Sequence, residues 1–326
     1  MAGVSKGTVD RVLHKRGKVS QEAEASVTQV LQQIDYHPNP IARNLKTNKV
    51  YRICVVLPDP EEDLYWIPAY DGVNEASVEY KAFGLEVATY LYHPYNKSSF
   101  LNKCNQALLV HPDALLVAAT NQKGFVDIMD QCNKNGILVA FFNNYIAAEK
   151  THIYIGQDLY QSGRIAAQLL EKLVESGSKV AVIHIDKEPH MQLKEDGFRA
   201  FFEERKTAIS IISKSFKTKK GDQIQQDIKS FLGAHNGIAG FFVTNSKSHI
   251  FLENTEDDLI VVGYDLLDQN IKLLKQGKID FLIHQKPKRQ AFLGVATIAE
   301  HFLFGKSISS QNLLPIEIIT SENVMY

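Results

Sequence analysis

Beyond Lys49 the chain runs as short, apolar, β-rich segments alternating with helical stretches, and this alternation constrains the fold more than any other feature. The apolar runs cover 53–57, 85–91, 114–118, 137–142, 180–185, 209–216, 238–244, 259–264 and 281–284. Helical spacing intervenes, for example over 72–80, 159–175, 193–205, 222–232, 267–276 and 289–303. Alternation of this kind builds βαβ units and parallel sheets. The runs are too many for one ordinary sheet, so two α/β lobes are the economical solution. Ligands of open α/β sheets sit beyond the carboxyl ends of the strands, which places a cleft between the lobes.

Residues 4–46 have a different grammar. Ser5 is placed to cap a helix whose apolar face is Val9, Val12 and Leu13, leaving Lys6, Thr8, Arg11 and Lys15 to project elsewhere. After Arg16-Gly17-Lys18, Ser20 starts a second helix with Glu22 and Glu24 in its first turn, where acids favour the helix dipole. Val27, Val30, Leu31 and Ile34 repeat at helical spacing, and Tyr36-His37-Pro38 ends the run, because the residue before proline leaves the α region. Pro40 suits the first turn of a short helix over 41–46. Residues 1–50 carry eight Lys or Arg against four acids, a net of +4, while the remainder carries −5. A basic head on an acidic body is the charge pattern of a chain that meets phosphate at one end. On charge alone a solvated helix pair is an equal reading.

The order and spacing of VSKGTVDRVL (4–13) and YHPNPIARNL (36–45) resemble the LacI family of bacterial transcription regulators, nearly continuously over residues 2–46. The resemblance implies a helix-turn-helix headpiece over 1–38, a hinge helix and linker over 39–50, and an effector domain over 51–326. It implies DNA contacts from Ser5, Lys6, Gly7, Thr8 and Arg11, with Lys6 and Gly7 at base-reading positions. Asn39, Ala42 and Arg43 match hinge positions, and Leu45 matches a leucine wedged into the minor groove at the operator centre. Gly7 offers no side chain to a base, so direct readout is expected to rest on Lys6, Arg11 and DNA shape. The family also places a helix with a pattern like IxDIAxxAGVS before the turn, whereas this chain opens Met1-Ala2-Gly3-Val4-Ser5, and the headpiece is read as lacking that first helix.

The body resembles the type 1 periplasmic-binding-protein fold that LacI-family regulators use to sense effectors, and within it the ribose-binding branch. The residues that carry this are VVGYD (261–265), NIKLLKQGKIDFLIHQKP (270–287) and FFVTN (241–245). The resemblance implies effector contacts from Asp265, Gln285 and Asn245, from Tyr65 and Trp66 as aromatics against a sugar ring, and from Asn143 and Asn144 after the fourth strand. Lys194 stands where relatives usually carry Arg. Asp265 accepts two hydroxyl protons, Asn245 and Gln285 give and take, and Lys194 only donates, a set suited to a neutral polyhydroxylated ligand. Lysine in place of arginine removes a bidentate fork, and Asn143-Asn144 in place of an Asp-Arg pair removes an acidic acceptor, so ribose itself is disfavoured. Each residue also has a plainer reading: Asp265 and Asn245 as helix caps, Trp66 as core, Gln285 as an ordinary crossover residue.

The expected protein is a ligand-responsive, dimeric regulator of a pseudo-palindromic operator, sensing a monosaccharide or polyol. A stand-alone sugar-binding module without DNA affinity is the alternative. Cys54, Cys104 and Cys132 are widely spaced and suit neither a disulfide framework nor a zinc site, so they are read as small buried hydrophobes. No metal or cofactor is expected. The chain has no apolar run of membrane-spanning length and no signal-peptide pattern, which points to the cytoplasm. Catalytic templates fail: Gly305-Lys306-Ser307 lacks its glycine five residues upstream, where Glu300 stands, and no nucleophile elbow, HExxH helix or dinucleotide turn appears. His184 and His284, at strand ends, read as hydrogen-bonded, partly buried side chains. An enzyme is not expected.

Overall fold

The computed structural model describes residues 2–13, 16–34, 49–119, 124–144, 153–218, 223–253, 255 and 259–324. The hinge positions Asn39, Ala42, Arg43 and Leu45 lie outside the described residues. Two compact units emerge, 1–49 and 50–326.

In the first unit, α1 (Lys6–Leu13) begins after Ser5, whose Oγ accepts from the Thr8 amide at 3.2 Å. Helix α2 (Gln21–Gln33) begins after Ser20, whose Oγ accepts from the Ala23 amide at 3.4 Å. Both serines therefore supply the acceptor that an open first turn needs. Packing is thin: α1 buries none of its residues and α2 buries only Val27. The charged side chains of α1, Lys6, Asp10 and Arg11, are exposed, and Thr8 is half-buried.

The second unit holds two six-stranded sheets. The first lobe consists of β1 (Tyr51–Pro58), β2 (Leu85–Tyr92), β3 (Ala114–Val117), β4 (Leu138–Phe142), β5 (Ile153–Gly156) and β11 (Gln311–Leu313). Their spatial order is β11-β5-β4-β3-β1-β2, parallel throughout. The second lobe consists of β6 (Lys179–Ile185), β7 (Ser210–Phe216), β8 (Ile238–Val243), β9 (Ile260–Tyr264), β10 (Phe281–His284) and β12 (Glu317–Ile319). They run in the order β12-β10-β9-β8-β6-β7, with only β12 antiparallel to its neighbour.

Strands covered by helices on both faces need apolar residues at every position. In β1, Ile53, Val55 and Leu57 enter one core while Cys54 and Val56 enter the other. Strand β6 divides in the same way, with Ala181, Ile183 and Ile185 on one face and Val180 and Val182 on the other. The helices of the first lobe are α3 (Ile67–Lys81), α4 (Lys97–Leu108), α5 (Phe125–Lys134) and α11 (Pro287–Phe304). Those of the second are α6 (Leu159–Leu173), α7 (Pro189–Arg205), α8 (Gln223–Ala234), α9 (Ser248–Leu252) and α10 (Asp268–Lys275).

The chain passes between lobes three times, after β5, after β10 and after β11. Buried Gln157, in the first crossing, donates from Nε2 to the carbonyl of His284 in the second and to that of Pro315 in the third, each at 3.0 Å. One amide thus ties all three crossings together. The three cysteines are buried and unbonded, and burial pushes their thiols up to about 11, 12 and 11 for Cys54, Cys104 and Cys132, so they stay protonated and inert.

Candidate functional site

The carboxyl ends of β4, β6, β9 and β10 converge beside the crossings. Asn143, Asp186, Asp265 and Lys286 follow these strands with φ of 66°, 52°, 64° and 56°. A left-handed backbone in non-glycine residues costs energy and persists where the surroundings dictate it, and Asn and Asp tolerate it best. Here it turns the chain sharply at each strand end and leaves Asn143, Asp186 and Asp265 at the cleft, while Lys286 pairs with Glu317.

Asp265, 2 % exposed, anchors the group. Its Oδ1 accepts from the Gln285 backbone amide at 2.9 Å and its Oδ2 from Gln285 Nε2 at 2.7 Å. The carboxylate therefore caps no helix. Gln285 Nε2 also reaches the Tyr65 hydroxyl at 3.4 Å, and Asn143 Nδ2 donates to the same hydroxyl in a short hydrogen bond. Lys194, fully buried, donates to the carbonyl of Thr244 at 3.0 Å and to Gln285 Oε1 at 3.4 Å, and its ammonium lies 3.6 Å from the Tyr264 ring centre. Burial lowers the Lys194 amine to about 8, against the opposing pull of Asp265 and Glu188.

The helix that carries Lys194 is set in place by a close backbone approach. A Cβ at Gly163 of α6 would lie 1.9 Å from the Lys194 carbonyl, and a Cβ at Gly197 of α7 would lie 1.9 Å from that of Tyr160. The two helices touch main chain to main chain because these positions are glycine.

Five expected residues, Tyr65, Asn143, Lys194, Asp265 and Gln285, therefore form one bonded cluster. Asn144 is nearby but turned away, its Nδ2 donating to the carbonyl of Ala119 at 3.1 Å. Asn245 is committed locally: Nδ2 donates to the carbonyl of Ile185 at 2.7 Å, and Oδ1 accepts from the Lys247 amide at 3.3 Å. Trp66 is 4 % exposed and packs edge-on against Tyr65 and Phe142. It belongs to the core of the first lobe and presents no free face, which leaves Tyr65 as the aromatic at the cluster.

Further polar residues meet at the same place without any signal in the linear sequence. Lys247, after β8, donates to the hydroxyl of Tyr95, after β2, and to Asp186 Oδ2, both at 2.8 Å, so it bridges the lobes. Burial works to lower its amine, but Tyr95 and Asp186 prevail and hold it raised. For Asp186 burial alone would raise the carboxyl, but the hydrogen bond and charge of Lys247 and the hydrogen bonds from Thr218 together offset it, leaving it lowered. Asp63 is raised by burial despite the nearby Lys247.

Glu188 has a buried Oε2 with no hydrogen-bond partner, 3.4 Å from His190 Nδ1, and burial raises its carboxyl to about 8. Burial lowers the His190 imidazole to about 3, assisted by Lys194 and His184, so that ring is neutral at ordinary pH. A group whose folded pKa is raised contributes stability below its unfolded value near 4.5 and loses it as pH climbs through 8. Glu188→Gln is therefore expected to be more heat-stable than the parent by a margin that widens from pH 4.5 to 8, reaching on the order of 1–3 kcal/mol. Melting curves across that range decide it; a margin independent of pH contradicts the assignment.

His184 is sealed inside the second lobe, with Nδ1 2.8 Å from Thr244 Oγ1 and Nε2 2.8 Å from Glu195 Oε2. Arg199 and Ser213 also bond Glu195, whose carboxyl is held far down by the His184 hydrogen bond despite burial. A hydroxyl–imidazole–carboxylate chain of this kind resembles a nucleophile relay in composition, but it is shut away from solvent. Its effect is to brace the strand end that offers the Thr244 carbonyl to Lys194. Among the described residues no cluster of His, Cys, Asp and Glu suits a metal ion, and no helix is long and apolar enough to cross a membrane.

Two parallel-sheet lobes, three crossings and a polar cluster at the strand ends define a two-lobed binding protein of the type 1 periplasmic class. Residues 53–307 match the periplasmic binding protein domain family, and residues 1–39 match the bacterial regulatory proteins of the lacI family. The chain belongs to the periplasmic binding protein domain family, and its opening segment matches the lacI family of bacterial regulatory proteins. It is similar to the ribose operon repressor of Halalkalibacterium halodurans, 26 % identical over 81 % of this chain and 77 % of the relative. The xylose/arabinose-binding protein of Sulfolobus acidocaldarius is 24 % identical over 80 % of this chain and 69 % of the relative. A solved structure described as a LacI transcriptional regulator from Bacteroides fragilis superposes with a TM-score of 0.77 at 27 % identity, covering 84 % of this chain and 98 % of that one.

Proposed function

We propose that this regulator binds a pseudo-palindromic operator as a homodimer in the cytoplasm and is controlled by a monosaccharide or polyol held between its lobes. The observation that carries the effector reading is the cluster of Asp265, Gln285, Asn143 and Lys194 closed around the hydroxyl of Tyr65. Asn143 from one lobe and Gln285 from the other already donate to one hydroxyl, with Asp265 and Lys194 positioning Gln285 from behind. A sugar hydroxyl taking that place satisfies the same atoms, while Tyr65 offers its ring to the sugar's CH groups. Asn144 and Asn245 stand at the rim of the same strand ends and join the contact set on lobe closure, with Trp66 supporting Tyr65 from behind. The sugars named for the relatives, ribose and the pentoses xylose and arabinose, define the class to screen first.

On the DNA side, Ser5, Lys6, Thr8 and Arg11 make the major-groove and phosphate contacts, and Gly7 lets the helix backbone approach. Asn39, Ala42 and Arg43 form the hinge, and Leu45 is the wedge. Effector binding shifts the population between lobe arrangements and thereby DNA affinity. Leu45→Ala separates this reading from that of a stand-alone sugar-binding protein. Gel-shift titration against the DNA upstream of its own gene is expected to show at least about tenfold weaker operator binding, from a few kcal/mol of lost wedge contact, with sugar affinity unchanged. A parent protein with sugar affinity and no DNA affinity supports the alternative.

A further inference from the structure

Apart from the sugar cluster, a cavity of about 610 Å³ opens where the two lobes meet beside the crossings. Its walls come from both lobes and from the crossing itself, with Glu75 of α3, Leu266 after β9, Lys286 and Arg289 at the second crossing, and Glu317 and Val324 after the third. His284 and Lys286 face this cavity, whereas Gln285 between them bonds Asp265 and Tyr65 in the sugar cluster. One strand end thus separates two different sites. The volume lies within the ~300–1,000 Å³ typical of small-molecule pockets.

The chemistry of the lining is specific. Pro68, Leu266, Phe292, Ile319 and Val324 give an apolar floor. Two of the three cations are already neutralised: Lys286 lies 2.5 Å from Glu317, and Lys288 lies 2.8 Å from Glu75. Arg289 differs. Among the described residues it has no carboxylate at ion-pair distance, and its guanidinium is held 5.4 Å from the Phe292 ring centre. His284 contributes its ring to the wall, while its Nδ1 lies 3.7 Å from Asp265 Oδ1, on the side of the sugar cluster. A planar fork with five donors, unspent and set beside an apolar floor, matches an oxyanion carried on an apolar body.

We propose that this cavity is a second ligand site, for a small molecule bearing a carboxylate or phosphate on an apolar or aromatic skeleton, with Arg289 holding the anion. Its occupant touches both lobes and the crossing, so it binds different lobe arrangements with different affinity. By linkage it then alters sugar affinity by the same factor that sugar alters its own. The coupling, but not the site, rests on the effector reading above.

Phenyl phosphate and benzoate serve as probes, with benzyl alcohol as the uncharged control, in calorimetric titrations of the full chain. One or both anions are expected to bind the parent and to bind Arg289→Leu at least tenfold more weakly, with benzyl alcohol inert. Preference between the two anions identifies the head group. Arg289 is exposed on α11, so a folded variant is expected, checked by its melting temperature. Equal anion affinity in Arg289→Leu and parent, or equal binding of benzyl alcohol, overturns the site. A change in sedimentation mass in Arg289→Leu without any anion binding also overturns it, in favour of a second copy covering the cavity. Asp265→Asn keeps the two readings apart: it should abolish sugar binding and leave anion binding intact. Anion binding with no sugar response in the parent sinks the effector reading alone.

Discussion

Asp265→Asn should lose at least about a hundredfold in sugar affinity while the protein stays folded. The carboxylate takes two hydrogen bonds from Gln285, one from the backbone amide and one from the side chain. Hydrogen bonds to a charged acceptor contribute about 1.5–3 kcal/mol each, so losing one to the sugar and misplacing Gln285 together give about 3–5 kcal/mol. An asparagine must also point its own NH2 at one of two donors, which turns an attraction into a clash of hydrogens. Calorimetry with the sugar selected by a thermal-shift screen measures the effect, and operator affinity in the absence of sugar provides the control. An Asp265→Asn protein that binds sugar within threefold of the parent would remove Asp265 from the site.

Gly163→Val is expected to have the largest effect on stability. The carbonyl of Lys194 lies where any Cβ at Gly163 would go, only 1.9 Å away, and Gly197 meets the carbonyl of Tyr160 in the same manner. Backbone cannot step aside as a flexible side chain can, so α6 and α7 must separate. Overpacking in a tight interface costs about 1–3 kcal/mol and often more when main chain is the obstacle. Moving α7 also carries Lys194 away from Thr244 and Gln285, so sugar affinity should fall together with the melting temperature. A Gly163→Val protein with parental melting temperature and sugar affinity would contradict the close approach of the two helices.

Much of the fold was legible because strands buried on both faces need unbroken apolar runs, and runs such as 53–57 and 180–183 have them. Strands β5, β11 and β12 were not read: they have three or four residues each, and β11 and β12 are edge strands with polar positions, created by the crossings rather than by local pattern. Helix α7 starts at Pro189, four residues earlier than helical spacing suggested, because proline is tolerated in a first turn and His190 is turned into the protein interior instead of continuing an apolar stripe.

At the site, the family resemblance singled out all five residues; the alternation by itself places Asp265, Gln285 and Asn143 after strand ends, but not Lys194, within α7, or Tyr65, in a short helical turn. Trp66 shows the limit of that reasoning. Adjacent aromatics look equivalent in sequence, yet a helical turn sends one to the cluster and the other into the core. Glu188, His190 and Lys247 carried no signal at all, since their perturbation comes from burial among groups brought together only by the folded chain.

The most direct test of the account is the sugar binding curve of the full chain measured with and without a duplex from upstream of its own gene. Linkage predicts that saturating DNA changes the sugar dissociation constant by the same factor by which saturating sugar changes the DNA dissociation constant. Identical sugar curves in the presence and absence of bound DNA would contradict it.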